Sequence, residues 1–138
     1  MDCVELNKIG NFEPWDTAKI KELKNKYLSD AVGECLYENE IIKLWEITLF
    51  PNERIPFRKL DSNYSWTSLT KGSVISRNAN GKINLLRLKK GDTAYWEFEG
   101  KEIISDLENI GDNILRIVVV EHKPLFKKTD LFSIKSFL

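Results

Sequence analysis

The sequence predicts an all-β domain, a sandwich or barrel of antiparallel strands with one short helix near its start. Two observations carry this. From about residue 34 onward, β-branched and aromatic residues gather in short runs that alternate with polar neighbours, the pattern of half-buried strands. Turn signals rich in Gly, Asn and Asp separate these runs at intervals of roughly 8–12 residues, with no helical periodicity between them, as all-β architectures require.

The helix is predicted over residues 17–28, where Asp16 supplies an N-cap and Ile20, Leu23 and Tyr27 share one face. Lys19, Lys21, Glu22, Lys24 and Lys26 fall on the other, which reads as a solvated face. The first strong strand, residues 41–50, ends at Pro51-Asn52. Residues 65–70 end at Lys71-Gly72, and residues 73–77 at Asn78-Ala79-Asn80-Gly81, a hairpin signal because Asn and Gly tolerate positive φ. Residues 82–88 follow, with Ile83 and Leu85 alternating, before Lys89-Lys90-Gly91-Asp92 turns the chain. Residues 93–98 and 101–107 flank Glu99-Gly100, and 109–113 make the turn into 114–121. There Val118-Val119-Val120 imply a central strand or one buried on both faces.

A chain of 138 residues with 42% hydrophobic and 30% charged residues fits one folded domain. The expected division is an N-terminal extension over 1–30, the β domain over 31–123 and a tail over 124–138. In the tail, Leu131, Phe132, Ile134, Phe137 and Leu138 suit docking on the domain or on a second subunit, so a homodimer is expected. Lys plus Arg equals Asp plus Glu at 21 each, which leaves no overall field to hold nucleic acid or an anionic membrane. Nothing resembles a targeting signal, and no run approaches the roughly 18 apolar residues of a spanning helix, so a cytoplasmic protein is expected. Cys3 and Cys35 form neither a CxxC pair nor part of a Cys/His cluster. Ordinary buried thiols in a reducing compartment are expected.

Residues 44–57, Leu-Trp-Glu-Ile-Thr-Leu-Phe-Pro-Asn-Glu-Arg-Ile-Pro-Phe, resemble the opening strand and first loop of small bacterial cupins, in which a Pro-Gly-Glu turn leads into a His-rich segment. Tyr64-Ser65-Trp66-Thr67 and Leu69-Thr70-Lys71-Gly72 look like the end of that first motif. Lys90-Gly91-Asp92-Thr93 looks like the Pro-Gly-Asp turn opening the second, and Asp106-Leu107-Glu108-Asn109 with Gly111-Asp112 like its close. The resemblance spans about Val32 to His122 and implies an antiparallel jelly-roll β-barrel of the RmlC-like cupin type. It also implies a metal site of histidines and a carboxylate, whose positions fall here on Arg58, Leu60, Tyr64 or Ser65, and Ser105. None is a histidine or a carboxylate, so no metal and no cofactor are expected. The single histidine, His122, reads as a surface or edge residue.

With the metal positions replaced, Arg58 becomes a candidate anchor for a carboxylate or phosphate. Tyr64, Trp66, Tyr95 and Trp96 are candidate aromatic walls, and Ser105 and Asp106 candidate hydrogen-bonding groups, a mixture typical of small-molecule pockets. The competing reading turns Arg58 to solvent or pairs it with Asp61. Strand parity leaves the inward face of residues 58–66 open, because one bulge would exchange the two faces. Glu97, Glu99, Glu102 and Asp106 offer paired carboxylates for acid and base work, although their alternation with Trp96 and Phe98 fits a solvated face better. The functional expectation is metal-independent binding or sensing of a small anionic or carbohydrate-like molecule. The alternatives are a metal-free isomerase or lyase, with Tyr64, Glu97 or Asp106 as base, and a structural or regulatory dimer without ligand.

Overall fold

A computed structural model describes residues 1–25, 28, 29 and 31–124. In chain order the elements are β1 (Asp2–Asn7), α1 (Thr17–Leu23), β2 (Glu34–Glu38), β3 (Ile42–Leu49), β4 (Arg54–Leu60), β5 (Asn63–Ser68), β6 (Gly72–Arg77), β7 (Ile83–Leu88), β8 (Thr93–Trp96), β9 (Ile103–Asn109) and β10 (Leu115–His122). They form two five-stranded antiparallel sheets, ordered β1-β7-β6-β9-β4 and β2-β3-β10-β5-β8. Side chains alternate across each strand, so each sheet turns one apolar row toward the other. Trp45, Ile47, Leu49, Ile117 and Val119 come from one sheet, and Val74, Leu88 and Leu107 from the other. The valine run is central, as expected: β10 lies between β3 and β5, and Val119 is paired with Trp45 on one side and Trp66 on the other.

The sheets do not close into a barrel. Among the described residues no strand pairing joins one sheet to the other. The Met1 ammonium lies 3.3 Å from Asp92 at the β1/β8 side, and Ser29 bridges to Arg58 beside β4, where Lys59 N donates to Ser29 O at 2.9 Å. The architecture is an open two-sheet sandwich.

Residues 2–7 form a true strand, β1, paired with β7, where an extension without strand was expected. A polar network then ties the chain down. Asn7 Nδ2 donates to Asn11 O at 2.6 Å and to Gly81 O at 2.8 Å, and Trp15 Nε1 donates to Gly81 O at 3.0 Å. Gly81 has φ 99°, and a Cβ there would stand 3.0 Å from Gly10 N, so the Asn-Gly turn read from the sequence also seats the N-terminal segment. Trp15 stacks on Phe57, centroids 5.9 Å apart.

The helix starts where predicted, with Asp16 accepting from Ala18 N at 3.1 Å, but ends at Leu23 rather than residue 28. Lys24 N–H bonds the carbonyls of Ile20 and Lys21, a tight closing turn. The Glu22 side chain reaches from the helix to Arg54. Tyr27 and residues 125–138 lie outside the described residues. Cys3 and Cys35 are exposed, contrary to the expectation of burial, because both sit on edge strands. No helix among the described residues is long and apolar enough to cross a membrane.

Candidate functional site

The site begins with a bulge. Along β4 and β9, Ile55 is paired with Leu107 and Arg58 with Ser105, so three steps on β4 match two on β9. The extra residue exchanges the faces of the strand beyond it. Pro56, which cannot donate to a ladder, lies within the irregularity. Phe57 consequently points outward under Trp15, with the Arg54 guanidinium 4.9 Å from its ring centroid, and Arg58 and Leu60 turn into the space between the sheets.

Arg58 retains only 6% of its exposure. Its Nη1 donates to Ser105 O at 3.2 Å, and its Nε is a buried donor with no hydrogen-bond partner among the described residues. Burial pushes its pKa down to about 10, opposed by the nearby Asp106 carboxylate. The group therefore stays cationic at neutral pH. Among the described residues no carboxylate forms an ion pair with it, Asp61 included, and it is buried: the reading that pairs Arg58 with Asp61 or turns it to solvent does not describe this fold.

Arg58 lines a cavity of about 280 Å³ between the sheets. Ser76, Asn78 and Ser105 line it from the same sheet, and Arg58, Ser105 and Asn78 lie in one cross-strand row, since Ser105 pairs with both of the others. Tyr64, Trp66 and Trp96 line it from the opposite sheet, with Tyr64 and Trp96 stacked at 6.0 Å. The remaining wall is aliphatic, including Val32, Ile47, Val74, Leu86, Ile103 and Val119. Burial, with Glu121 adding to it, pushes the Tyr64 phenol up to about 12, so it stays neutral.

Asp106 also borders the cavity, but its carboxylate is engaged elsewhere. Adjacent strand residues point to opposite faces, and Asp106 reaches the outer face of its sheet while Ser105 faces inward. Asp106 Oδ2 accepts from Arg54 Nε at 2.6 Å and Arg77 Nη1 at 2.9 Å, and Oδ1 accepts from Arg77 N at 2.7 Å. Arg54 also grips Glu22, with Nη1 to Oε1 at 3.0 Å, and Arg77 grips Glu108 at 3.0 Å. The network pins α1, β4, β6 and β9 together directly behind Arg58, a brace that sequence reading missed because its members are spread over 86 positions from Glu22 to Glu108. Asp106 thus acts as a structural counter-ion rather than as a group offered to a ligand.

Tyr95 points away from the cavity and is 57% exposed; the alternation that turns Trp96 inward turns Tyr95 outward. Glu97, Glu99 and Glu102 are exposed, the solvated face that was expected. His122 accepts or donates a 2.8 Å hydrogen bond with Ser65 Oγ, on the outer face beside Tyr95.

No family model and no curated protein matches the chain. Solved structures do. A cupin domain from Bordetella pertussis superposes with a TM-score of 0.60 at 17% identity, over 72% of this chain and 100% of its own. An RmlC-like cupin family protein with a double-stranded β-helix fold from Methanocaldococcus jannaschii superposes with a TM-score of 0.53 at 21% identity, over 72% and 84%. The chain has the cupin fold. A third neighbour, a conserved protein with a double-stranded β-helix domain from Klebsiella pneumoniae, gives 0.52 at 17% identity, over 75% and 85%. Identities of this size speak to fold alone.

Of the positions that the family resemblance assigns to metal ligands, Arg58, Leu60, Tyr64 and Ser105 border this cavity, whereas Ser65, the alternative to Tyr64, faces outward to His122. Their chemistry does not fit a divalent ion. Leu60 has no donor atom, Tyr64 is held neutral, Ser105 offers a weak hydroxyl, and the Arg58 cation would repel the metal. Among the described residues no group of three or more His, Cys, Asp or Glu is placed to hold an ion.

Proposed function

We propose that this cupin binds or senses a small anion in the cavity between its sheets, with Arg58 as counter-ion and without a metal. The observation that carries the reading is the buried Arg58 Nε, which has no hydrogen-bond partner among the described residues. A buried charged group lacking a hydrogen bond costs stability, and an anion entering the cavity would satisfy it. The wall fits the same reading, being mostly apolar with a few convergent polar groups.

An isomerase or lyase needs a base at the cavity. Tyr64 is neutral far above physiological pH, the Asp106 oxygens are occupied by Arg54 and Arg77, and Glu97 is exposed. Support therefore lies with binding. The test is a thermal-shift screen of carboxylates, phosphorylated metabolites and neutral sugars, since a ligand of the native state raises its stability. An anion that stabilises the native chain and loses its effect in Arg58→Gln is expected. Stabilisation that survives this substitution unchanged would remove Arg58 from the site.

A further inference from the structure

Resting on that reading, we infer that the ligand is a monocarboxylate carried on a compact, apolar and preferably flat body, rather than a phosphate ester or a sugar acid. Three observations select this class.

The first is charge. Among the described residues that line the cavity, Arg58 is the one cation. Arg54 and Arg77 lie on the far side of the sheet and are held by Glu22, Asp106 and Glu108. One guanidinium, with Nη1 already donating to Ser105 O, matches one carboxylate. A phosphate dianion would carry a second charge into a wall that has nothing to meet it.

The second is the neutral polar complement. Ser76, Asn78 and Ser105 cluster beside Arg58, and apart from Asp106, whose carboxylate is taken up by Arg54 and Arg77, the rest of the wall is aliphatic or aromatic. These three suffice to orient a carboxylate. A sugar acid would bring a hydroxyl on nearly every carbon, and most would be buried against Val, Ile and Leu without partners.

The third is shape. The cation and its polar neighbours sit on one sheet, and Tyr64, Trp66 and Trp96 sit on the other. Packed sheets stand about 10 Å apart, so a molecule spanning the gap places its acid against Arg58 and its body against the rings. At about 280 Å³ the cavity lies at the small end of ligand sites, which run from roughly 300 to 1,000 Å³. An aromatic ring against aromatic rings fills it efficiently.

The experiment is calorimetric titration of the full chain with benzoate, cyclohexanecarboxylate, benzamide, glucuronate and inorganic phosphate. Benzoate is expected to bind most tightly and cyclohexanecarboxylate next. Benzamide, with the same shape and no charge, should bind roughly 10- to 100-fold more weakly, the scale of a charge-assisted hydrogen bond. Arg58→Gln should bring benzoate down to the benzamide level, and Trp96→Leu should weaken benzoate more than cyclohexanecarboxylate. Phosphate or glucuronate binding more tightly than benzoate would overturn the ligand class while leaving an anion site in place. Equal affinity for benzoate and benzamide, or no binding of any of the three anion types, would overturn the anion site together with the class. Because the benzamide comparison uses the unaltered protein, it decides the matter even if Arg58→Gln does not fold.

Discussion

Arg58 and Ser105 face each other across β4 and β9, and the only hydrogen bond the Arg58 side chain makes among the described residues is from Nη1 to the Ser105 carbonyl, 3.2 Å away. A guanidinium held this way, buried and with Nε unpartnered, works against folding. Replacing a buried charge by an apolar side chain of similar length is often neutral or stabilising. Arg58→Met is therefore expected to raise stability by about 1 kcal/mol while abolishing anion binding. Urea unfolding checks it, read as a higher midpoint at unchanged m-value. A variant that loses stability instead would make Arg58 a structural residue.

The brace behind Arg58 has the opposite character. Asp106 is fully buried and accepts from both Arg54 and Arg77, so Asp106→Ala leaves two guanidinium groups without their shared partner. Removing one member of a buried ionic group costs about 3–5 kcal/mol. Glu108, whose side chain keeps 24% of its exposure, should matter much less, with Glu108→Ala costing about 1 kcal/mol or under. Equal losses in the two variants, measured by denaturant unfolding, would contradict the central place given to Asp106.

Glu22 ties the helix to this brace and sets a pH dependence. The hydrogen bonds from Arg54 hold its pKa below the ordinary value of 4.5, with burial pulling the other way and Phe57 N–H adding to the depression. A depressed carboxylate contributes stability that is fully present above its unfolded pKa and is lost as pH falls through its folded pKa. The native chain should thus lose this contribution below about pH 4.5. Glu22→Gln should be less stable than the native chain at pH 7, and the gap should shrink as the pH is lowered toward 3. A gap of constant size across that range would mean that the Glu22 charge has no part in it.

Much of this architecture was legible because turns are local. Asn80-Gly81, Lys90-Gly91 and Glu99-Gly100 put glycine where φ is positive, and the strands between them fell within a few residues of their predicted bounds. β1 was not legible: Val4 and Leu6 make too short an apolar row to mark a strand and both stay exposed, and its pairing with β7 is long-range. β4 was hidden by Pro56 and by the bulge. That bulge is also why the direction of Arg58 was open from sequence, since a face exchange depends on the pairing of β4 with β9 and not on the identity of any residue in it. The convergence of Arg58, Tyr64, Trp66, Trp96 and Ser105 on one cavity required the sandwich itself, with its two sheets supplying opposite walls.

The same convergence can be turned into a test of the site's ancestry in chemistry. Arg58 and Leu60 lie on one face of β4, Ser105 is paired directly across from Arg58, and Tyr64 comes from the facing sheet. If the cavity keeps the geometry of a metal-holding cupin and has lost only the donors, restoring them should restore an ion. Arg58→His, Leu60→His and Ser105→His combined with Tyr64→Glu supply three imidazoles and a carboxylate, a set that suits Co, Ni or Zn. This quadruple variant is expected to take up about one Co(II) per chain with visible ligand-field absorption, and to gain thermal stability from it. The native chain should show neither, because Arg58 repels the ion and Leu60 offers it nothing. The pair Arg58→His and Ser105→His alone should bind Co(II) more weakly, which keeps the test open if the fourfold change does not fold. A folded variant that ignores cobalt would show that the four positions share a cavity without converging on a point.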